Sequence, residues 1–275
     1  MRWIVFLSLM FAGQAWASCF QEMGPHRPIT GTVNFDLYRG YLMVARGSAG
    51  AAKNLTFLVD TGASPTVLDP RVARRLRLAT RAASIAVVGG SVRAERAIVP
   101  SLNLGPVQRQ NLPVLIEDLS FLGNALPFPV DGVIGLDVLG DGAFLIDYGA
   151  HRIQFGPYPL LPNSAAVHRK NGLALVDAEV NGVPASLLLD TGASSLTLFT
   201  RGTTAALKVT AIGEFARTQL KAHRFRLGEM EFGRESVAVV AGGAGYAFDG
   251  LMSPSALGIT RVAIDLGRGE MSFSR

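Results

Sequence analysis

An all-β, bilobal fold is predicted by three features of the sequence. Apolar residues fall in runs of four to eight broken by turn signals, which is strand punctuation rather than helical periodicity, and 31 Gly and 14 Pro among 275 residues supply the breaks. The pentapeptide D-T-G-A-S occurs twice, in "FLVDTGASPTVL" (57–68) and "LLLDTGASSLTL" (187–198), placing Asp60 and Asp190 130 residues apart. Each copy is followed by matching landmarks at an offset of 118: "VDGVIGLDVL" (130–139) with "FDGLMSPSAL" (248–257), and "IDYGAHRIQFG" (146–156) with "IDLGRGEMSFS" (264–274). The unit is duplicated, and its second copy is twelve residues shorter between the landmarks. Two homologous β-rich lobes about an approximate two-fold axis are therefore expected.

From the N-terminus, Met1-Arg2, the apolar run "WIVFLSLMF" (3–11) and "AGQAWASC" (12–19) have the charged, apolar and small-residue regions of an export signal. The run is too short to span a bilayer as an anchor. Cleavage after Ala17 fits the Ala15-x-Ala17 pattern and makes 1–17 the signal peptide. Cleavage at 18/19 is the other reading, with Cys19 lipidated and holding the chain to a membrane; Trp16, where such signals carry an aliphatic residue, favours simple export. Both readings place the protein in the periplasm or outside the cell. Cys19 is the only cysteine, so the core stands without an intramolecular disulfide.

The first lobe is expected over 28–156. "YLMVARGSAGAAKNLTFLVD" reads as strand, loop and strand, and "RVARRLRL" (71–78) as a short helix with Asp69 as N-cap and Pro70 at its first position. The arginines there carry much of the net charge of +5 and read as a solvated face. The aromatic interleaving of a nucleic-acid groove is missing, so no nucleic-acid partner is expected. "GPYPLLPNSAAVHRKNG" (156–172) reads as a linker, taken as 157–171, and the second lobe as 172–275. There "LALVDAEVNGVPASLLLD" repeats the hairpin, with Asn181-Gly182 supplying its two positive-φ residues.

Each D-T-G-A-S thus follows the second strand of a hairpin, and the axis would bring Asp60 and Asp190 face to face. Two touching carboxylates do not both ionise cheaply, so one pKa rises, the other falls and a proton is shared. Such a pair suits activation of water. Gly62 and Gly192 would let backbone amides approach the carboxylates, Thr61 and Thr191 would lock the loops across the axis, and Ser64 and Ser194 would donate to the outer carboxylate oxygens.

These residues resemble the aspartic proteases, pepsin-like and retropepsin-like, which carry apolar-apolar-D-T-G-[AST]-[ST] on a loop, with two apolar residues and a glycine beneath it. Val133, Ile134 and Gly135 fit that second motif; the other copy departs from it at Ser253. The resemblance implies a single-chain acid-protease fold binding an extended peptide in its cleft, Asp60 and Asp190 as the catalytic pair, and no metal or cofactor. It also implies a hairpin flap, for which "SIAVVGGSVRAERAIV" (84–99), with Gly89-Gly90 at its tip, is the candidate. The second copy has no such glycine tip, in keeping with one flap. The linker is long enough for the lobes to pair within one chain, so a monomer is expected.

The remaining polar residues read as structural. His26, His151, His168 and His223 lack metal-ligand spacing, "GGAGYAFDG" lacks the setting of a phosphate loop, and Asp131, Asp137, Asp147, Asp249 and Asp265 lie near turns, where capping is the default role. An exported aspartic endopeptidase is the leading functional expectation. A catalytically silent peptide-binding or assembly factor using the same cleft is the alternative.

Overall fold

Short apolar runs that alternate with glycine and proline turns leave the backbone little choice but sheet. In the computed structural model of the chain, which describes residues 29–87, 90–140, 142–200, 217–222, 224–233, 235–241 and 247–275, that is the outcome. The expected signal (1–17), Cys19, His26, Gly89 and His223 lie outside the described residues.

The first lobe is an eight-stranded sheet in the order Asp36–Tyr38, Leu42–Ala49, Ala52–Val59, Gly132–Ile134, Val67–Leu68, Val107–Ile116, Gly90–Leu104 and Arg81–Val87. Its centre is a weave. Ala52–Val59 runs parallel to Gly132–Ile134, and Val67–Leu68, which follows the Asp60 loop, pairs antiparallel on the far side of Gly132–Ile134. The second lobe repeats it: Val183–Leu189 is parallel to Gly250–Met252, and Leu196–Thr200 is antiparallel on the far side. Covered on both faces, these central strands read as continuous apolar runs such as "LLL".

Asp131 and Asp249, expected in turn roles, tie the weave together. Asp131 accepts the Thr56 N–H through Oδ2 at 2.9 Å, returns its own N–H to the Thr56 carbonyl and accepts the Asp69 N–H on its carbonyl. Asp249 makes the same three bonds with Ser186 and Phe199. Each aspartate therefore joins three chain segments at one point.

The lobes are fused through a second set of strands. Gly31–Asn34, Arg152–Phe155 and Phe144–Asp147 from one half meet Arg261–Asp265, Glu270–Ser274 and Asn163–Lys170 from the other, in a sheet that continues into the second lobe. At the join Phe144 pairs with Ile264, Leu145 with Ala263 and Ile146 with Val262. Under the offset of 118 the outer two pairs exchange and the middle one maps onto itself, so the two-fold axis passes through Leu145 and Ala263. One apolar core, including Phe57, Phe144, Ile146, Leu187, Val262, Ile264 and Phe273, runs through both lobes.

Two expectations on chain organisation change. The stretch 157–171 is not simply a linker: Asn163–Lys170 pairs with Glu270–Ser274 on one side and Leu173–Val180 on the other. The hairpin over 84–99 forms, but Gly90 pairs with Val87 as the first residue of its strand rather than sitting at the tip. The local signals held. Asp69 caps Pro70–Leu76 by accepting the Arg71 N–H, Pro70 opens that helix, and Asn181 and Gly182 turn the hairpin at φ 53° and 83°.

Asp131→Ala would leave the Thr56 N–H unpaired in the weave. The expected cost is about 1–3 kcal/mol, read as a lower urea midpoint at unchanged m-value.

Candidate functional site

The parallel strands end at Val59 and Leu189, and the next residue of each turns inward. The Asp60 N–H donates to the Ile134 carbonyl at 2.9 Å and that of Asp190 to Met252 at 3.0 Å, so both aspartates hang from the adjacent strand by the same bond. Across the axis the threonines interlock. The Thr61 N–H donates to Thr191 Oγ1 at 3.0 Å and the Thr191 N–H to Thr61 Oγ1 at 3.2 Å, while Thr61 Oγ1 donates to the Leu189 carbonyl at 2.7 Å. These bonds link positions far apart in sequence inside a buried environment, where hydrogen bonds hold geometry best.

The interlock delivers the two carboxyls to one place. Asp60 and Asp190 are 5% and 1% exposed, and their side chains hydrogen-bond to each other. Gly62 N–H and Gly192 N–H both donate to Asp60 Oδ1, at 2.8 and 3.1 Å. Glycine is required at both positions for space: a Cβ at Gly62 would lie 2.6 Å from Asp190 Cγ, and one at Gly192 2.6 Å from Asp60 Oδ2.

Burial pushes the proton affinity of Asp60 well above the usual carboxylate range, the neighbouring charge of Asp190 adds to the shift, and the two glycine N–H donors oppose it. The pair therefore holds one proton between two carboxyls at a pH where isolated aspartates have lost theirs.

Beneath the loops the two lobes solve one problem with different residues. In the first, the Leu136 N–H donates to the Ala63 carbonyl at 2.9 Å, and Gly135 is needed because a Cβ would stand 2.4 Å from that oxygen. In the second, Pro254 replaces Leu136 and has no N–H. Ser253 supplies the missing donor, its Oγ reaching the Ala193 carbonyl at 2.7 Å. Serine in place of the expected glycine is thus a compensation for the proline beside it. The first lobe also has Thr66, which accepts the Gly135 N–H and donates to Asp137 Oδ1 at 2.8 Å. Asp137, expected as a turn residue, is instead a half-buried strut whose proton affinity desolvation raises; Leu196 and Ser255 stand in the matching places.

The loop serines are placed differently from expectation. Ser64 is buried next to Gly172, and Ser194 lies beside the Tyr41 hydroxyl. Tyr41, which no motif marks, is thereby brought beside Asp190. His151 stacks on Phe35 and His168 faces Asp177; among the described residues no group of three His, Cys, Asp or Glu side chains is placed to hold a metal ion.

Two woven lobes that present one aspartate each to a shared axis define the acid-protease fold. The aspartyl protease family model matches residues 46–138 and again 176–260, once in each lobe, and the chain belongs to that family. No curated protein sequence matches it. Among solved structures, the basic 7S globulin from soybean is 12% identical, covering 91% of this chain and 95% of its own at a TM-score of 0.50, a likeness of fold alone. A retropepsin-like aspartic protease from Rickettsia conorii is 18% identical, covering 48% of this chain and 96% of its own at a TM-score of 0.35.

Ser253→Ala would strand the Ala193 carbonyl and cost about 1–3 kcal/mol of unfolding free energy. Pairing Ser253→Gly with Pro254→Leu, which restores the first-lobe N–H, should recover most of it in the same denaturant titration.

A second outcome follows from the proton on Asp60. The native chain keeps a proton that the unfolded chain gives up near the ordinary value of 3.8. Its contribution to stability is present in acid and is lost as the pH rises from there through the native value. Asp60→Asn removes this linkage, so in calorimetry the variant should melt with the wild type near pH 3 and increasingly above it toward pH 7.

Proposed function

We propose that the protein is an exported aspartic endopeptidase. The observation that carries the reading is the hydrogen-bonded Asp60–Asp190 pair, buried on the axis between the lobes and fed by two glycine amides. In this reading the pair is the catalytic dyad. A peptide bound in extended form between the lobes presents its scissile carbonyl to the shared proton, and a water molecule is the nucleophile.

The ionised carboxylate takes a proton from that water as its oxygen bonds to the carbonyl carbon, and the protonated carboxyl gives its proton to the carbonyl oxygen. The resulting gem-diol collapses when one hydroxyl returns its proton to the dyad, the C–N bond breaks and the leaving nitrogen takes the other proton. The pair ends with one shared proton, as it began. No covalent enzyme intermediate enters this cycle. The cross-bonded threonines do not take part in proton transfer; they keep the carboxyls from separating.

The family match and the fold support peptide hydrolysis as the class of reaction. Export rests on the N-terminal signal pattern and is tested by the mature N-terminus, which mass spectrometry of the exported protein should place at Ser18.

Asp60→Asn and Asp190→Asn should each lower kcat/KM for peptide cleavage by about 10²–10⁴-fold while the far-ultraviolet circular dichroism stays that of the wild type. Full cleavage by either variant contradicts the dyad. The wild-type rate should be bell-shaped in pH, since only the singly protonated pair carries both an acid and a base.

A further inference from the structure

The duplication permits a comparison position by position, and at one place beside the dyad the lobes differ in kind. Leu42–Ala49 and Leu173–Val180 are equivalent strands, each paired with the strand that leads into an aspartate: Val44 lies opposite Leu58, and Leu175 opposite Leu188. The residue just before each strand therefore holds the same place in its lobe. These residues are Tyr41 and Gly172.

The two-fold axis sets each of them against the serine of the opposite D-T-G-A-S loop. A Cβ at Gly172 would lie 2.9 Å from Ser64 Oγ, so the backbone itself closes over that serine, which is 4% exposed. Gly172 also has φ 82°, a conformation that disfavours any side chain. On the other side the Tyr41 hydroxyl lies beside Ser194, an exposed residue, and the half-buried ring stands within electrostatic reach of Asp190. One flank of the dyad is sealed by backbone, and the other carries an aromatic ring with a polar tip.

Tyr41 is held there from several directions. Its N–H closes a turn onto the Tyr38 carbonyl at 3.1 Å. Within that turn the Tyr38 ring meets Phe128 edge-on at 5.2 Å, and Arg39 donates to the carbonyls of Ala125 and Asn124 at 2.8 and 2.9 Å. The Tyr41 ring packs on the apolar cluster that contains Leu42, Ala63 and Leu119. A side chain fixed in this way presents one shape to whatever enters beside Asp190.

We propose that Tyr41 is a specificity-determining residue that makes a symmetric cleft directional. It restricts the substrate to peptides with a small side chain next to the scissile bond on the Asp190 flank, and its hydroxyl, with Ser194, positions the peptide backbone there. The proposal rests on the protease reading of the same site, but its test separates the two. Position 172 imposes no matching restriction, because it carries no side chain.

The experiment uses four statine-core peptides, transition-state mimics that differ only in carrying alanine or phenylalanine immediately before or after the core. Their dissociation constants are measured by fluorescence anisotropy against the mature chain and its Tyr41→Gly, Tyr41→Ala and Tyr41→Phe variants, with cleavage of the corresponding amide peptides in parallel. The wild type should prefer alanine to phenylalanine at one flanking position by about tenfold or more. Tyr41→Gly, and Tyr41→Ala should glycine disturb the turn, should erase that preference and leave the other position unchanged. Tyr41→Phe should keep the size preference and weaken all four mimics by roughly three- to tenfold.

An unchanged preference in both small variants overturns the proposal, as does a wild type with no size preference at either position. Selective binding that responds to Tyr41 without any peptide cleavage upholds the proposal and overturns the endopeptidase reading. Failure of the wild type to bind any of the four overturns both.

Discussion

Two carboxyl groups buried against each other are the least favourable contact in this molecule taken alone, and the rest of the structure is arranged to hold them. A buried charge without compensation costs several kcal/mol, so the pair survives by sharing a proton and by drawing two glycine N–H donors onto Asp60. Those donors arrive only because residues 62 and 192 lack a Cβ. The glycines arrive only because Thr61 and Thr191 bind each other across the axis. The threonines in turn depend on parallel strands clamped by Asp131 and Asp249 and on a central sheet whose register is symmetric about Leu145 and Ala263.

Duplication supplies the symmetry, and divergence between the copies shows which parts of it matter. The backbone bonds of Asp60 and Asp190 to the neighbouring strand agree to 0.1 Å, at 2.9 and 3.0 Å. Their supports do not agree in chemistry: a glycine and a leucine N–H in one lobe become a serine hydroxyl and a proline in the other. The donor to the loop carbonyl is retained while its source changes, as expected if an unpaired carbonyl under the site is what the fold cannot tolerate. Where no such constraint acts, beside the dyad at 41 and 172, the lobes have diverged outright.

The duplicated landmarks made the architecture readable in advance, because D-T-G-A-S and the matching D-G segments recur at fixed offsets that chance does not produce. The helix after Asp69 was readable because a cap and a proline act within a few residues of themselves. What escaped depended on partners distant in sequence. The strand Asn163–Lys170 follows a proline-rich stretch and owes its existence to Glu270–Ser274 and Leu173–Val180 rather than to its own composition. Hydroxyls such as those of Ser64 and Ser194 fit almost any acceptor, so their neighbours had to be seen. Asp137 gave a faint signal, a carboxylate within an apolar run, and its partner Thr66 lies 71 residues away. Tyr41 gave none until the fold set it across the axis from Ser194.

The central claim is that Asp60 and Asp190 titrate as one unit, and it is tested most directly by following their carboxyl carbons by nuclear magnetic resonance from pH 2 to 9. The account predicts two coupled steps, one of them well above the ordinary range for aspartate, with both carbons responding to each step and the upper step absent from the Asp60→Asn chain. Two independent titrations near the ordinary value would contradict it, because carboxyls that ionise separately are not in contact.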